Sequence, residues 1–439
     1  MVTVMKKTFR NIPFFGMAAA LIAVAACEPE MQGIAPQSGQ ANFSKYIAIG
    51  NSLTAGYADN GLYLEGQKVA YPNLIAEQME ALGGGAFNSP FFTEAQRNGS
   101  GYIRLKALVN GQPQMEPVTD NLAVRGLNPV GNPLYTKYTD EISNYGVPGM
   151  RLDFAFFPGM GTVMGNPFFE RILPENEPSA TTYFGHVTNK SHTFFSFWLG
   201  NNDVLGYAVN GAYEEAPNST TTLTDVGTFS TRYNQFIDEL TKNEQKGVVA
   251  TIPDVTAVPY FNTVTTALLE AAVTAASQGA ATKVFITTAS GVRAATNEDL
   301  FGLTVRDTLG KIVGGSPYGF SPANPLHSKF VLDKDEIAEI SARVNAFNAI
   351  IKAVAERKEL AVADAHAFLN RVKSSGIRHN GVNINASFVT GNAFSLDGIH
   401  LTPMGNALIA NLFIDAINAK YGGKLTKVDV SRYRGVAFP

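Results

Sequence analysis

Short apolar runs alternating with helical patterns constrain the fold of this chain more than any other feature. Tyr46-Ile47-Ala48-Ile49 is an apolar run closed by Gly50, short enough for a buried strand and too short for a core helix. Thr193 to Leu199, Gly247 to Ile252 and Leu360 to Asp364 have the same character. Between these runs lie helical patterns. Ala70 to Met79 carries Leu74, Ile75 and Met79, and Asp333 to Lys358 carries Ile337, Ile340, Val344, Phe347, Ile350, Ile351 and Val354 at helical spacing. Strands alternating with helices predict an α/β fold with a largely parallel sheet covered on both faces.

Two stretches break the alternation. Residues 83–140 and 255–330 are rich in Gly, Pro, Asn and Thr, and they read as insertions. Such insertions either decorate the surface or rim the active site and set substrate choice, as loops of α/β folds commonly do. With 45% hydrophobic and 16% charged residues in 439, the chain can bury one large core that holds the remainder. Phe91-Phe92, Phe156-Phe157 and Phe168-Phe169 are read mainly as core, with an apolar acyl site as the alternative. There is no internal repeat. Gly159, Gly161 and Gly165 do not have dinucleotide-fingerprint spacing, and no Walker-type Gly-Lys-Ser/Thr occurs, so nucleotide binding has no support.

The amino terminus has the parts of an export signal in order. Lys6, Lys7 and Arg10 precede an apolar run from Ile12 to Ala26, which is short for a membrane span, and Val24-Ala25-Ala26-Cys27 follows. Cys27 is the single cysteine, so no disulfide can form within the chain. The pattern resembles a bacterial lipobox, which implies a signal peptide over 1–26, lipidation of Cys27 and anchoring to a membrane through acyl chains. Glu28 and Glu30 resemble export signals of surface lipoproteins, so the expected location is the outer membrane, with exposure at the cell surface. Residues 27–43 read as the lipidated cysteine and a flexible tether, and the domain is expected from Ser44 to Pro439. Removing the three leader cations takes the formal charge of −3 to about −6, which gives no electrostatic case for a nucleic-acid partner.

Ser52 follows the first apolar run in Gly50-Asn51-Ser52-Leu53-Thr54-Ala55-Gly56. A serine just past a buried strand lies at the carboxyl edge of the sheet, where α/β folds place ligands, although a turn or helix cap would use the same residue. The second informative segment is Leu396-Asp397-Gly398-Ile399-His400-Leu401-Thr402-Pro403, which leads into an apolar helix over Ala407 to Ile417. A serine hydroxyl is a poor nucleophile until a base takes its proton, and an imidazole does so best when a carboxylate holds its tautomer. A spacing of three on a turn lets Asp397 face one ring nitrogen of His400 and leaves the other for Ser52.

Four separated motifs in order resemble the SGNH/GDSL hydrolases. Gly50-Asn51-Ser52-Leu53 is similar to the first block, Asn144-Tyr145-Gly146-Val147-Pro148-Gly149 to the second, Gly200-Asn201-Asn202-Asp203 to the third and Asp397-Gly398-Ile399-His400 to the last. The family usually has Asp before the serine, where this chain has Asn51, a change expected to alter hydrogen bonding around the turn. The resemblance implies a three-layer α/β/α sandwich on a flavodoxin-like, five-stranded parallel sheet. It also implies a triad of Ser52, Asp397 and His400, and an oxyanion hole made by the N–H groups of Ser52 and Gly149 and the Asn202 amide.

The expected reaction is hydrolysis of a carboxylic ester, on an acetylated glycan or a lipid, through an acyl-serine, with no metal or organic cofactor. Two rivals share the cleft: a catalytically silent lipoprotein that binds glycan or lipid, and an acyltransferase that uses the same intermediate. Oligomeric state is not legible in the sequence.

Overall fold

The computed structural model describes residues 37–439 apart from Asn110 and Asn218. Cys27, the signal segment and the tether as far as residue 36 lie outside the described residues. Five strands form the central sheet: β1 (Tyr46–Gly50), β2 (Asn144–Gly146), β3 (Phe194–Trp198), β4 (Lys246–Ala250) and β5 (Ala361–Ala363). All are parallel, in the order β5-β4-β3-β1-β2. The order reverses at β1, so the crevice beyond its carboxyl end is the topological switch point of the sheet.

Four of the strands are the apolar runs read from the sequence, with ends that differ by one or two residues. The fifth, β2, is three residues of the second motif block, too short and too polar to show periodicity. Every residue of β1 and β3 is buried, as expected for a sheet covered on both faces. Neighbouring side chains of β3 serve opposite layers. Trp198 packs on Tyr71 and Phe413, whose rings lie 5.6 and 5.8 Å away, while Phe197 packs on Tyr233 and Phe236 at 5.5 and 5.0 Å. Burying each such ring stabilises the fold by about 1.5–3 kcal/mol.

Tyr71 belongs to helix α2 (Tyr71–Glu80), which follows the one-turn α1 (Ser52–Ala55); Asn202–Val209 is α3 and Val226–Leu240 is α4. The α4 helix fills the second layer and carries Phe229, Tyr233, Phe236, Ile237 and Leu240 buried at helical spacing. Its partner α5 (Lys334–Arg357) starts at a capping box of Asp333 and Glu336, and Phe229 stacks on its Phe347 at 3.8 Å. The buried Asn348 of α5 pairs its amide with both backbone groups of Ile252, at 2.7 and 2.8 Å, which fixes the chain leaving β4. Helices α6 (Ala365–Ser374) and α7 (Pro403–Tyr421) complete the layers. No helix among the described residues is long and apolar enough to cross a membrane.

The packed chain begins before Ser44, which corrects the expected boundary of the tether. Phe43 is 2% exposed and meets Phe194 edge-on at 5.0 Å, Ala41 is also buried, and Gln40 donates its N–H to the Tyr421 carbonyl. Two isolated apolar residues carry no periodic signal, yet a pocket at the sheet's amino end holds them.

The insertions are structured. Residues 83–140 contain two hairpins, Tyr102–Val109 with Gln112–Val118 and Val124–Leu127 with Pro133–Tyr135. Residues 255–330 contain the helix Thr266–Ala276 and the hairpin of Phe285–Thr288 with Gly291–Ala294. They close over a small core of their own that includes Leu269, Val273, Ile286, Phe301 and Leu326. Of the paired phenylalanines, Phe92 and Phe169 are buried, whereas Phe157 is 47% exposed and is not core.

Candidate active site

Strand register brings the motif blocks together. Gly50, the last residue of β1, lies opposite Trp198 of β3 and Gly146 of β2, so the three chains leave the sheet level with one another. Ser52, Gly149 and Asn202 follow within two, three and four residues of those ends. A side chain at Gly50 or Gly146 would meet backbone atoms within 3 Å, which requires glycine at both positions.

Ser52 is the first residue of α1, whose cap is Asn51: its side-chain oxygen accepts the Leu53 N–H at 3.1 Å. The buried amide therefore performs the capping that a carboxylate could provide here, so the turn keeps its hydrogen bond despite the departure from the family's usual Asp. Gly56 closes the turn in the left-handed region, with φ of 81°, and its N–H returns to the Ser52 carbonyl.

Ser52 and His400 are 348 residues apart, yet Oγ lies 2.8 Å from Nε2. The other ring nitrogen, Nδ1, is 2.9 Å from Asp397 Oδ2. Asp397 Oδ1 accepts the backbone N–H groups of Ile399 and His400, each at 2.8 Å, and Oδ2 also accepts the Asn60 N–H at 3.0 Å. Burial works to raise the pKa of this carboxyl. It is outweighed by the facing imidazole and the backbone donors, which hold Asp397 well below the usual carboxylate range. A hydroxyl, an imidazole and an ionised carboxylate joined in series can pass the hydroxyl proton to the ring as the oxygen attacks an electrophile.

The donors expected near Ser52 are disposed unequally. Asn202 lines a cavity with Ser52 and His400, and its Nδ2 gives one hydrogen to the Met150 carbonyl at 3.0 Å, leaving the second free for a ligand. Gly149 does not line that cavity. It lies three residues beyond β2 with φ of 77°, and its N–H and that of Ser52 have no acceptor among the described residues.

A buried network clamps the second and third blocks together. Asp203 accepts the N–H groups of Leu152 and Asp153 at 2.7 and 3.2 Å and the Thr224 hydroxyl at 3.0 Å. Arg151, 1% exposed, makes a two-pronged pair with Asp153 at 2.9 Å and reaches the Thr220 and Thr222 carbonyls. Burial, then the charge of Asp153, pushes the Asp203 carboxyl up to about 7 against the pull of Arg151 and the two N–H groups.

Sequence reasoning missed this network and a second support. Ala58-Asp59-Asn60-Gly61 is a tight turn closed by two 2.9 Å backbone bonds, with φ of 52° and 63° at its centre. Asp59 accepts the Leu396 N–H at 2.9 Å and donates its own to Ser395 Oγ at 3.0 Å, while Tyr63 donates to its carboxylate at 2.7 Å. An Asn-Gly pair is a general turn signal, but contacts with residues 337 positions away leave no local mark in the sequence. Tyr57, also missed, lays its ring 4.8 Å from the His400 ring, and burial followed by the Asp397 charge raises its phenol.

The cavity is narrow, about 40 Å³, and walled mainly by Leu53, Trp198, Leu205, Val255, Val258 and Ile399. Val255 and Val258 open the second insertion, and Tyr260 donates its N–H to the Gly398 carbonyl at 2.9 Å, so part of that insertion rims the site. The first insertion stays outside the cavity and packs Leu105 in one cluster with Leu396.

A parallel sheet with a hydrogen-bonded serine, histidine and aspartate at its switch point is the architecture of an α/β-type hydrolase. The chain belongs to the GDSL-like lipase/acylhydrolase family, whose model matches residues 46–413, from the start of β1 into α7. Among solved structures it is similar to a lipase/acylhydrolase from Enterococcus faecalis, with 11% identity over 88% of this chain and 99% of that one and a TM-score of 0.33. It is similar to a catalytic mutant of an acetylxylan esterase from Geobacillus stearothermophilus, with 9% identity over 88% and 98% and a TM-score of 0.35. An extracellular lipase from Streptomyces rimosus has 12% identity over 85% and 99%, with a TM-score of 0.34. A search of curated proteins finds no match.

Proposed function

We propose that this GDSL-type hydrolase is a serine esterase that cleaves esters of short acyl groups. The observation that carries the reading is the unbroken series of hydrogen bonds from Asp397 through His400 to Ser52. In this scheme Ser52 Oγ attacks the ester carbonyl while His400 Nε2 takes its proton. The tetrahedral oxyanion is held by the Asn202 amide and the N–H groups of Ser52 and Gly149, and its collapse expels the alcohol with the proton from His400. Water then attacks the acyl-serine, loses a proton to His400 and releases the acid, and the proton returns to Ser52. No step requires a cofactor.

The cavity supports the short acyl group. Its 40 Å³ has room for about three water-sized groups, and apolar walls suit a hydrocarbon fragment rather than a sugar. The alcohol portion, whether glycan or lipid, leaves toward solvent. Hydrolysis of p-nitrophenyl acetate, butyrate and octanoate by the purified protein tests the reading: the acetate and butyrate are expected to react fastest. Ser52→Ala and His400→Ala are expected to abolish turnover, and full activity in either variant would refute the assignment.

We further propose that the mature chain starts at an acylated Cys27 and is held at the outer membrane. The residues before and after Cys27 support this. Metabolic labelling with an alkyne fatty acid, lost in Cys27→Ser, is the expected result; unlabelled wild-type protein would refute it.

A further inference from the structure

The two insertions meet beside the catalytic cavity. Arg306 of the second donates Nη1–H to Gln112 Oε1 of the first at 2.6 Å, and both line a groove of about 750 Å³, a volume typical of ligand clefts. The remaining walls come from the end of α6 and from residues 383–390. The groove backs onto the cavity. Val255 and Val258 wall the cavity while Ala257, between them, lines the groove; Leu369 of α6 walls the cavity while Lys373, one turn on, lines the groove. Phe388 and Val389 also line it, and they pack in one cluster with Leu396, the residue before Asp397.

The lining is chemically one-sided. Arg306 and Lys373 bring two positive charges with no carboxylate partner among the described residues, and no Asp or Glu lines the groove although the chain holds 37 of them. The Asn383 side chain spends no hydrogen bond among the described residues, and Asn385 spends only Oδ1, on the Ser387 N–H at 2.8 Å. Leu108 and Leu268, 45% and 47% exposed, add apolar surface.

Together these groups select a ligand class. A lipid chain laid in the groove would cover the Asn383 and Asn385 amides without pairing them, a desolvation cost with nothing to offset it. A neutral sugar chain would pair the amides and leave both cations unused. A sugar chain that bears carboxylates engages every part: its hydroxyls pair the amides, its C–H faces cover Leu108, Leu268 and Phe388, and its carboxylates meet Lys373 and Arg306, whose guanidinium can hold one by two parallel N–H bonds.

We propose that the groove between the insertions binds an anionic oligosaccharide, the alcohol part of the ester on which Ser52 acts. The inference rests on the serine esterase reading and adds to it the class of the substrate's larger half: a carboxylate-bearing glycan carrying a short acyl group. The groove holds the chain while Ser52 and His400 perform the chemistry, so binding away from the reacting carbonyl helps to place the ester.

The test applies Ser52→Ala protein, which leaves an ester uncut, to an array of uronate-bearing oligosaccharides matched by neutral ones, with calorimetric titration of the strongest ligand. A uronate-bearing chain is expected to bind about tenfold or more tightly than its neutral match, and to weaken as salt rises from about 0.01 M to about 1 M. Neutral chains bound equally well, no chain bound, or affinity indifferent to salt overturns the proposal without reference to any groove variant. Adding Arg306→Ala and Lys373→Ala together is expected to weaken binding by about tenfold or more, and unchanged affinity in the folded variant also overturns it. If wild type hydrolyses p-nitrophenyl acetate and no acidic glycan binds, the esterase reading stands and this inference falls; if an acidic glycan binds and no ester is cleaved, the esterase reading itself has failed.

Discussion

Asn60 donates its backbone N–H to Asp397 Oδ2, the same oxygen that faces the His400 ring, so a two-residue turn near the start of the domain supports the acid at its far end. Asn60 holds φ of 63°, which Gly adopts freely and a β-branched residue resists at a cost of about 1–2 kcal/mol. Asn60→Gly is therefore expected to keep kcat, and Asn60→Val to lower it by on the order of tenfold through a displaced Asp397. Steady-state kinetics on both variants, with circular dichroism to verify folding, decides; equal rates would separate the turn from the reaction.

Asn202→Ala should separate binding from chemistry. Removing one oxyanion donor typically lowers kcat by about 10²–10³ while substrate binding changes little. The variant also frees the Met150 carbonyl, so some loss of stability is expected with it. A raised KM at constant kcat would place Asn202 in ground-state binding instead.

Asp203 carries a pH signature. Its folded pKa, pushed up to about 7, lies above the ordinary carboxyl value, so the native state binds this proton more tightly than the unfolded chain does. That contribution to stability is complete below about pH 4 and is lost as pH rises through about 7. The depressed Asp397 has the opposite sign, stabilising at neutral pH and losing its contribution as acid protonates it. Melting temperatures measured at about pH 5 and about pH 8 are expected to differ less in Asp203→Asn than in the wild type. An unchanged difference would assign the dependence to other groups.

Gly146→Ala tests the close approach of the first two blocks. A Cβ there would lie 2.3 Å from the Ala55 nitrogen and 2.6 Å from the Thr54 carbonyl carbon, both backbone atoms that cannot swing away. Overpacking of this kind costs about 1–3 kcal/mol or more, so a lower melting temperature is expected, with activity falling as α1 and Ser52 are displaced. Wild-type stability would show that the β2 edge can yield.

Much of the frame was legible from local patterns. Four of the five strands announced themselves as apolar runs because burial on both faces demands it, and α5 did so because a single apolar stripe repeats along its length. The Ser52, Asp397 and His400 positions stood out through their motifs, since each chemical role admits few residue types. β2 did not show, because three residues give no period, and the packed segment at residues 41–43 did not, because two apolar side chains resemble tether composition.

By itself the sequence determined which segments must be buried, which residue types could carry acyl chemistry, and the order in which the blocks occur. Only the tertiary structure decided what those residues meet: that Asn60 braces Asp397, and that Asp203 and Arg151 lock the donor loops. The physical reason is range. Strand and helix patterns are written in neighbours along the chain, whereas hydrogen bonds between residues hundreds of positions apart exist only after sheet register has set three strand ends level.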